Sequence, residues 1–292
     1  MTAKGAWVPQ SRPDRLTRRW WFVLVFVLLN LIPPITTKPL SPEQWANLGE
    51  VYEHLLGRAL LSSLTSRWWA AFDILPIVLV ILLVFLGRRI SRLLSAYAAL
   101  TYVLFAVLQS ISVTDRYGVG IVTCNVLWFL IVAGLWGWEA FAGLNDFAPR
   151  PRSLWKYWVV PLALFAFWIP FVYSAKTGGF HFTPLLFMKN HSGLAFCLMT
   201  PAYLAMLTLY YPRVNFVVLR VTALTGTIIG FWNMLVCFVF TSNWFTGVVH
   251  IPLLVISIYA LVLSFVKVRT QEPPELTGKE AAHGQDKETR PV

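Results

Sequence analysis

Three features of this 292-residue sequence predict an all-α polytopic membrane protein with about eight transmembrane helices. It is 57% hydrophobic and only 13% charged, and its mean hydropathy is +0.64. Apolar runs recur along the chain at near-membrane length. Short basic clusters separate the runs. A helix needs about 20 residues to cross the hydrocarbon, and soluble domains average about 25% charge, so lipid is the solvent that suits this surface. The 14 tryptophans fit a chain that meets many membrane interfaces. The net charge of +11 sits in the clusters between runs. There it acts as a topology signal, and no nucleic-acid partner is expected.

The predicted spans are 20–35, 69–87, 93–112, 118–141, 157–174, 192–211, 216–240 and 247–266. With the N-terminus inside, the cytoplasmic segments hold Arg12, Arg15, Arg18 and Arg19, then Arg88, Arg89 and Arg92, then Arg150, Arg152 and Lys156, then Arg213. The outer segments are poorer in Lys and Arg, so every inner loop obeys the positive-inside rule. A multi-pass protein of the cell membrane with both termini cytoplasmic follows. The basic N-terminus resembles a signal sequence, but no small-residue cleavage site follows it, and the first span is expected to be retained.

The organisation expected is a cytoplasmic segment at 1–15, a first four-helix half at 16–149, a second at 150–269 and a disordered cytoplasmic tail at 270–292. An outer amphipathic helix is predicted at 42–60. Ser41-Pro42-Glu43-Gln44 is a capping-box start, and Trp45, Leu48, Tyr52, Leu55 and Ala59 recur at helical spacing. This helix offers a docking surface for a membrane-protein partner. The halves read as parallel repeats. At a displacement of 124 residues Ala71-Phe72 meets Ala195-Phe196 and Arg89 meets Arg213, and Pro76 meets Pro201 after a one-residue insertion. At 137, Ile32-Pro33 meets Ile169-Pro170.

No charged residue lies near the middle of a span. Asp73, Asn30, Asn125, Asn233 and Thr200 are the polar candidates for binding a substrate, with interhelical hydrogen bonding as their alternative role. Arg220 and Glu139 lie near cytoplasmic helix ends, and Glu139 is expected to pair with Arg220 or Arg88. Pro76 and Pro201 each free a carbonyl one turn back. Gly226 and Gly230 permit close helix contact. Cys124, Cys197 and Cys237 lack metal-ligand spacing and read as small buried hydrophobes.

His54, His181, His191 and His250 all fall on the outer side, His191 opening span six and His250 about one turn inside span eight. Two histidines at matching depth are candidates to ligate a haem or a metal. This layout is similar to that of haem A synthases, which have two four-helix halves and haem-ligating histidines near the outer ends of spans six and eight. The resemblance implies haem as a cofactor, held by His191 and His250. Where those enzymes carry matching histidines in the first half, this chain has Arg67 and Asn125.

Four functional readings follow. A transporter or permease for a neutral or lipophilic small molecule fits the repeat and the interrupted helices, and a solid contact between the halves would count against it. A membrane-embedded redox or haem- or quinone-handling subunit rests on His191 and His250. A scaffold or assembly partner rests on the outer helix. A lipid-modifying enzyme would gain from an outer cleft gathering Asp73, His191 and Arg67.

Overall fold

Every predicted span yields a helix, but several of them yield strand as well. The computed structural model describes residues 11–63, 69–148, 154–174, 179–184, 192–240 and 244–266. His191, Arg67, Arg150, Arg152 and the tail at 270–292 lie outside the described residues. The chain is a membrane protein by its helices. Arg88–Gln109, Thr123–Ala142, Phe216–Val239 and Trp244–Phe265 are long and apolar enough to cross a bilayer. Trp20–Leu31, Ala70–Leu86, Leu154–Trp168 and Phe196–Tyr210 are shorter apolar helices at the other predicted positions.

In chain order the helices are α1 (Arg12–Thr17), α2 (Trp20–Leu28), α3 (Pro42–Ala46), α4 (Leu48–Gly57), α5 (Leu60–Ser63) and α6 (Trp69–Leu86). There follow α7 (Arg88–Leu104), α8 (Thr123–Ala142), α9 (Val159–Trp168), α10 (Phe196–Tyr210), α11 (Phe216–Leu235) and α12 (Trp244–Phe265). A π-helical turn extends α7 over Phe105–Gln109 and another extends α11 over Val236–Phe240.

Strands correct the predicted boundaries at one end of the bundle. β1 (Ile35–Thr36), β2 (Ile111–Thr114) and β3 (Gly118–Ile121) form an antiparallel sheet in the order β1-β3-β2, with Ile35 and Ile111 both opposite Ile121. β4 (Phe171–Ser174) pairs with β5 (Gly179–Phe182) from Phe171–Phe182 to Ser174–Gly179. Proline explains two of these helix ends. A residue before proline is pushed out of the α region; α2 runs out before Pro33, and α9 stops at Ile169 (φ 33°) before Pro170. The β-branched residues Ile111, Val113 and Val119 are as apolar as any span, so hydropathy alone did not separate strand from helix there.

The predicted outer helix is real but broken at Asn47 into α3 and α4, with α5 after it. Ser41 and Gln44 form the reciprocal capping box. α4 buries Val51 and Leu55 and is held to the β2–β3 turn by Arg116 on Glu50 (2.7 Å) and by His54 edge-on to Tyr117 (5.2 Å between ring centres).

The opposite, arginine-bearing end is closed by charge. Arg220 on α11 is fully buried, and its Nη2 donates to Asp14 Oδ1 on α1 (2.9 Å) and to the Ser264 carbonyl on α12 (2.8 Å). Its Nη1 donates to Thr17. Glu139 does not take the ion pair expected of it. Its carboxylate accepts the Asn145 N–H (2.6 Å) and the Asn215 side-chain amide (2.7 Å). Asp146 is shared between Arg88 (3.0 Å) and Arg213 (3.3 Å).

Between α7, α8 and α10 the core is aromatic. Tyr102, Phe105, Phe129, Phe196 and Tyr203 are all buried and meet in edge-on and tilted contacts, Phe129 and Phe196 at 4.7 Å between ring centres. α11 and α12 meet through the predicted glycines. A Cβ on Gly226 would lie 2.2 Å from Ser257 Oγ, and one on Gly230 would lie 3.1 Å from the Leu254 Cα.

Candidate functional site at the hairpin end

Most of the polar residues at the end of the bundle that carries the strands fall into two groups. One group is consumed by the fold. Asp73, in the second turn of α6, is fully buried, and its Oδ1 accepts the Gly193 N–H at 2.7 Å. Gly193 lies so close to α6 that a Cβ there would sit 1.9 Å from the Phe72 carbonyl oxygen. Gln109, at the end of the α7 π-turn, accepts the Phe196 N–H at 2.9 Å. Together these two side chains fix the 3₁₀ turn Ser192–Leu194 and the start of α10. Thr200 is buried against the Tyr102 hydroxyl (3.0 Å), and the neighbouring Thr101 and Tyr203 hydroxyls are 2.8 Å apart. Thr200 thus takes the interhelical role.

Asn30 and Asn125 belong to neither group. Asn30 is half-buried in the 3₁₀ turn Leu29–Leu31 that ends α2. Asn125 is half-buried in the first turn of α8, with the Cys124 thiol 3.9 Å from its Oδ1.

The second group converges. Cys197 is the second residue of α10, Asn233 lies near the end of α11, and His250 is in the second turn of α12. Asn233 Nδ2 donates to Cys197 Sγ at 3.3 Å. His250 Nδ1 is 2.7 Å from the Thr246 carbonyl. A carbonyl only accepts, so Nδ1 carries the proton and the neutral ring keeps its lone pair on Nε2. Cys197 is an electrostatic neighbour of this imidazole. All three side chains are half-buried rather than sealed.

Comparison with known proteins returns no match: no family model, no curated protein and no solved structure corresponds to the chain. The site is therefore judged on its chemistry. Sequence reading selected Asn233 and His250 but set Cys197 aside with the other thiols. The signal that finds it is its partnership with two helices distant in sequence.

Of the two candidate haem ligands only His250 is among the described residues, His191 lying outside them. The Nδ1–H bond of His250 to a carbonyl is one a metal-ligating histidine uses. Among the described residues no three His, Cys, Asp or Glu side chains gather to hold a metal ion.

An apolar cavity of about 240 Å³ opens between α6, α9 and α10, lined by Pro76, Val80, Phe167, Met199 and Met206. Its lining suits an acyl chain or another hydrocarbon group.

Proposed function

We propose that this chain is an eight-span protein of the cell membrane, built from two parallel four-helix units with cytoplasmic termini, which receives a neutral, lipophilic small molecule at the Cys197–Asn233–His250 cluster. One observation carries the reading: three polar side chains from three helices meet at a half-open place. Each buried polar group needs a partner, and a guest would supply what the Asn233–Cys197 bond does not. No side chain in the cluster carries a fixed charge, which favours an uncharged guest. The paired prolines in α6 and α10 and the capped helix ends support the two-unit arrangement.

Movement of the guest across the bilayer is the second reading, favoured by Pro76 inside α6 and Pro201 inside α10. The filled aromatic contact between α7 and α10 counts against a path between the halves, so binding within the second half is the better supported.

The test is photolabelling of the full chain in nanodiscs with a diazirine-bearing diacylglycerol. Label concentrated on peptides of α10–α12, and reduced in Asn233→Leu and His250→Phe, is the expected result. Label spread evenly over all lipid-facing helices, and unchanged in both variants, overturns the reading.

A further inference from the structure

We propose that the groove between α6, α9 and α10 holds one acyl chain of an anionic phospholipid from the leaflet at the arginine-bearing end, with the lipid phosphate among the cations at the groove's mouth. This site is separate from the Cys197–Asn233–His250 cluster. α6 packs on α7 and on the Ser192–Leu194 turn but stands off from α9 and α10. The gap between them is the apolar cavity of about 240 Å³. Left unfilled, it forfeits the dispersion contacts of the side chains along it. Its walls run from Pro76 to Val84 on α6, from Phe167 to Val160 on α9 and from Met199 to Tyr210 on α10. At about 1.5 Å per residue these stretches are roughly 10–16 Å long. Half of a bilayer's hydrocarbon core, the depth one lipid tail fills, is about 15 Å.

The two ends of the groove differ. The strand-bearing end is shut one turn before Pro76. There a Cβ on Gly193 would lie 1.9 Å from the Phe72 carbonyl oxygen, and Asp73 accepts the Gly193 N–H. At the arginine-bearing end a cation stands three or four residues beyond the last lining residue of each helix: Arg88 after Val84, Lys156 before Val160 and Arg213 after Tyr210. These three are tied together. Arg88 and Arg213 each hold one oxygen of Asp146, at 3.0 and 3.3 Å, and Lys156 donates to the Tyr211 carbonyl. Arg213 is also an electrostatic neighbour of Lys156. Among the described residues Asp146 is the one carboxylate ion-paired to any of the three, and the Arg88 side chain is 75% exposed. Positive charge is therefore in surplus at the open end. A phosphate supplies the missing charge and an acyl chain the missing contacts, and an anionic phospholipid carries both.

The experiment is native mass spectrometry of the full chain released from nanodiscs of equal parts phosphatidylglycerol and phosphatidylcholine with the same acyl chains. Retention of one phosphatidylglycerol, preferred over phosphatidylcholine by about tenfold, is expected. Ala202→Phe and Ala163→Phe fill the groove from α10 and from α9. Both lose the lipid while keeping the parent's unfolding temperature in lipid-free detergent. Arg88→Gln lowers the preference about fivefold. Excess glycerol phosphate, which has the charge without the chain, leaves the retained lipid in place. One arm needs no variant: phosphatidylglycerol added to the delipidated parent raises its unfolding temperature more than phosphatidylcholine does. Lipid retained equally by both phenylalanine variants overturns the groove as its seat. Equal retention of the two lipids by the parent, or equal stabilisation by them, overturns the anionic headgroup. Displacement by glycerol phosphate overturns the role of the chain.

Discussion

Two groups of polar residues near the strand-bearing end of the bundle are used differently. Asp73 on α6 and Gln109 at the end of the α7 π-turn accept backbone N–H groups and vanish into the packing around Gly193 and Phe196. Asn233 on α11 donates to Cys197 on α10, and these two and His250 on α12 stay half-exposed. The prolines repeat the contrast. Pro76 frees the Phe72 carbonyl, which receives the Tyr97 hydroxyl at 3.4 Å. Pro201 frees the carbonyl of Cys197 itself. Asp73 and Gln109 thus act as a frame that sets the start of α10. A polar residue in a membrane helix is not a functional residue until its neighbours leave it something to do.

This contrast breaks most readily at Gly193. Gly193→Val drives a Cβ into the Phe72 carbonyl, which is backbone and has little room to yield. We expect a loss of about 3 kcal/mol or more, read as the largest fall in unfolding temperature of any single change at this end. Asp73→Leu comes next. It strands the buried Gly193 N–H, an expected cost of about 1–3 kcal/mol, whereas Asp73→Asn keeps an acceptor and loses less. Asn233→Leu sharpens the comparison from the other side. Its bond is to sulfur in a half-open place, so its expected cost is under about 1 kcal/mol, and an equal fall with Asp73→Leu would erase the distinction between frame and site. Labelling of the folded protein by N-ethylmaleimide should be faster at Cys197 than at the buried Cys124 and Cys237, by on the order of tenfold. Equal rates would show the cluster to be closed.

The smallest effect belongs to the arginine-bearing end, where Arg88 and Arg213 share one carboxylate. Desolvation pushes the Asp146 carboxyl up, but the Ala148 N–H and the Arg88 and Arg213 guanidinium groups outweigh it and hold the carboxyl below its usual range. A group with a depressed folded pKa stabilises above its unfolded value, about 3.9, and that contribution is lost as pH falls through the folded pKa. Partly exposed pairs are worth under about 1 kcal/mol. On going from about pH 5 to about pH 3, the unfolding temperature of the parent should therefore fall slightly further than that of Asp146→Asn. An identical fall in both proteins would remove the contribution.

The helical runs were legible in the sequence because lipid-facing helices advertise themselves by hydropathy, and the predicted run at 216–240 coincides with α11 and its π-turn. The strands were hidden because Ile111, Val113, Val119 and Val172 are apolar in either conformation. Two of the three residues of the cluster were legible as well. Asn233 and His250 stood out as polar groups in apolar runs, whereas Cys197 looked like its two inert counterparts, since nothing local separates a buried thiol from a partnered one. The partners of Arg220 and Glu139 were beyond reach. Asp14 belongs to a short N-terminal helix, and Asn145 and Asn215 belong to loops whose approach depends on how all the helices pack.

The ion pair between Asp14 and Arg220 joins residues 206 positions apart. During synthesis the acid leaves the ribosome long before the arginine exists, and the Ser264 carbonyl that shares the guanidinium comes later still. Until α12 is in place, the α11 arginine has only part of its final shell. Docking of the first helix is therefore among the last events of assembly, and the earliest-made segment serves as the seal on the finished protein.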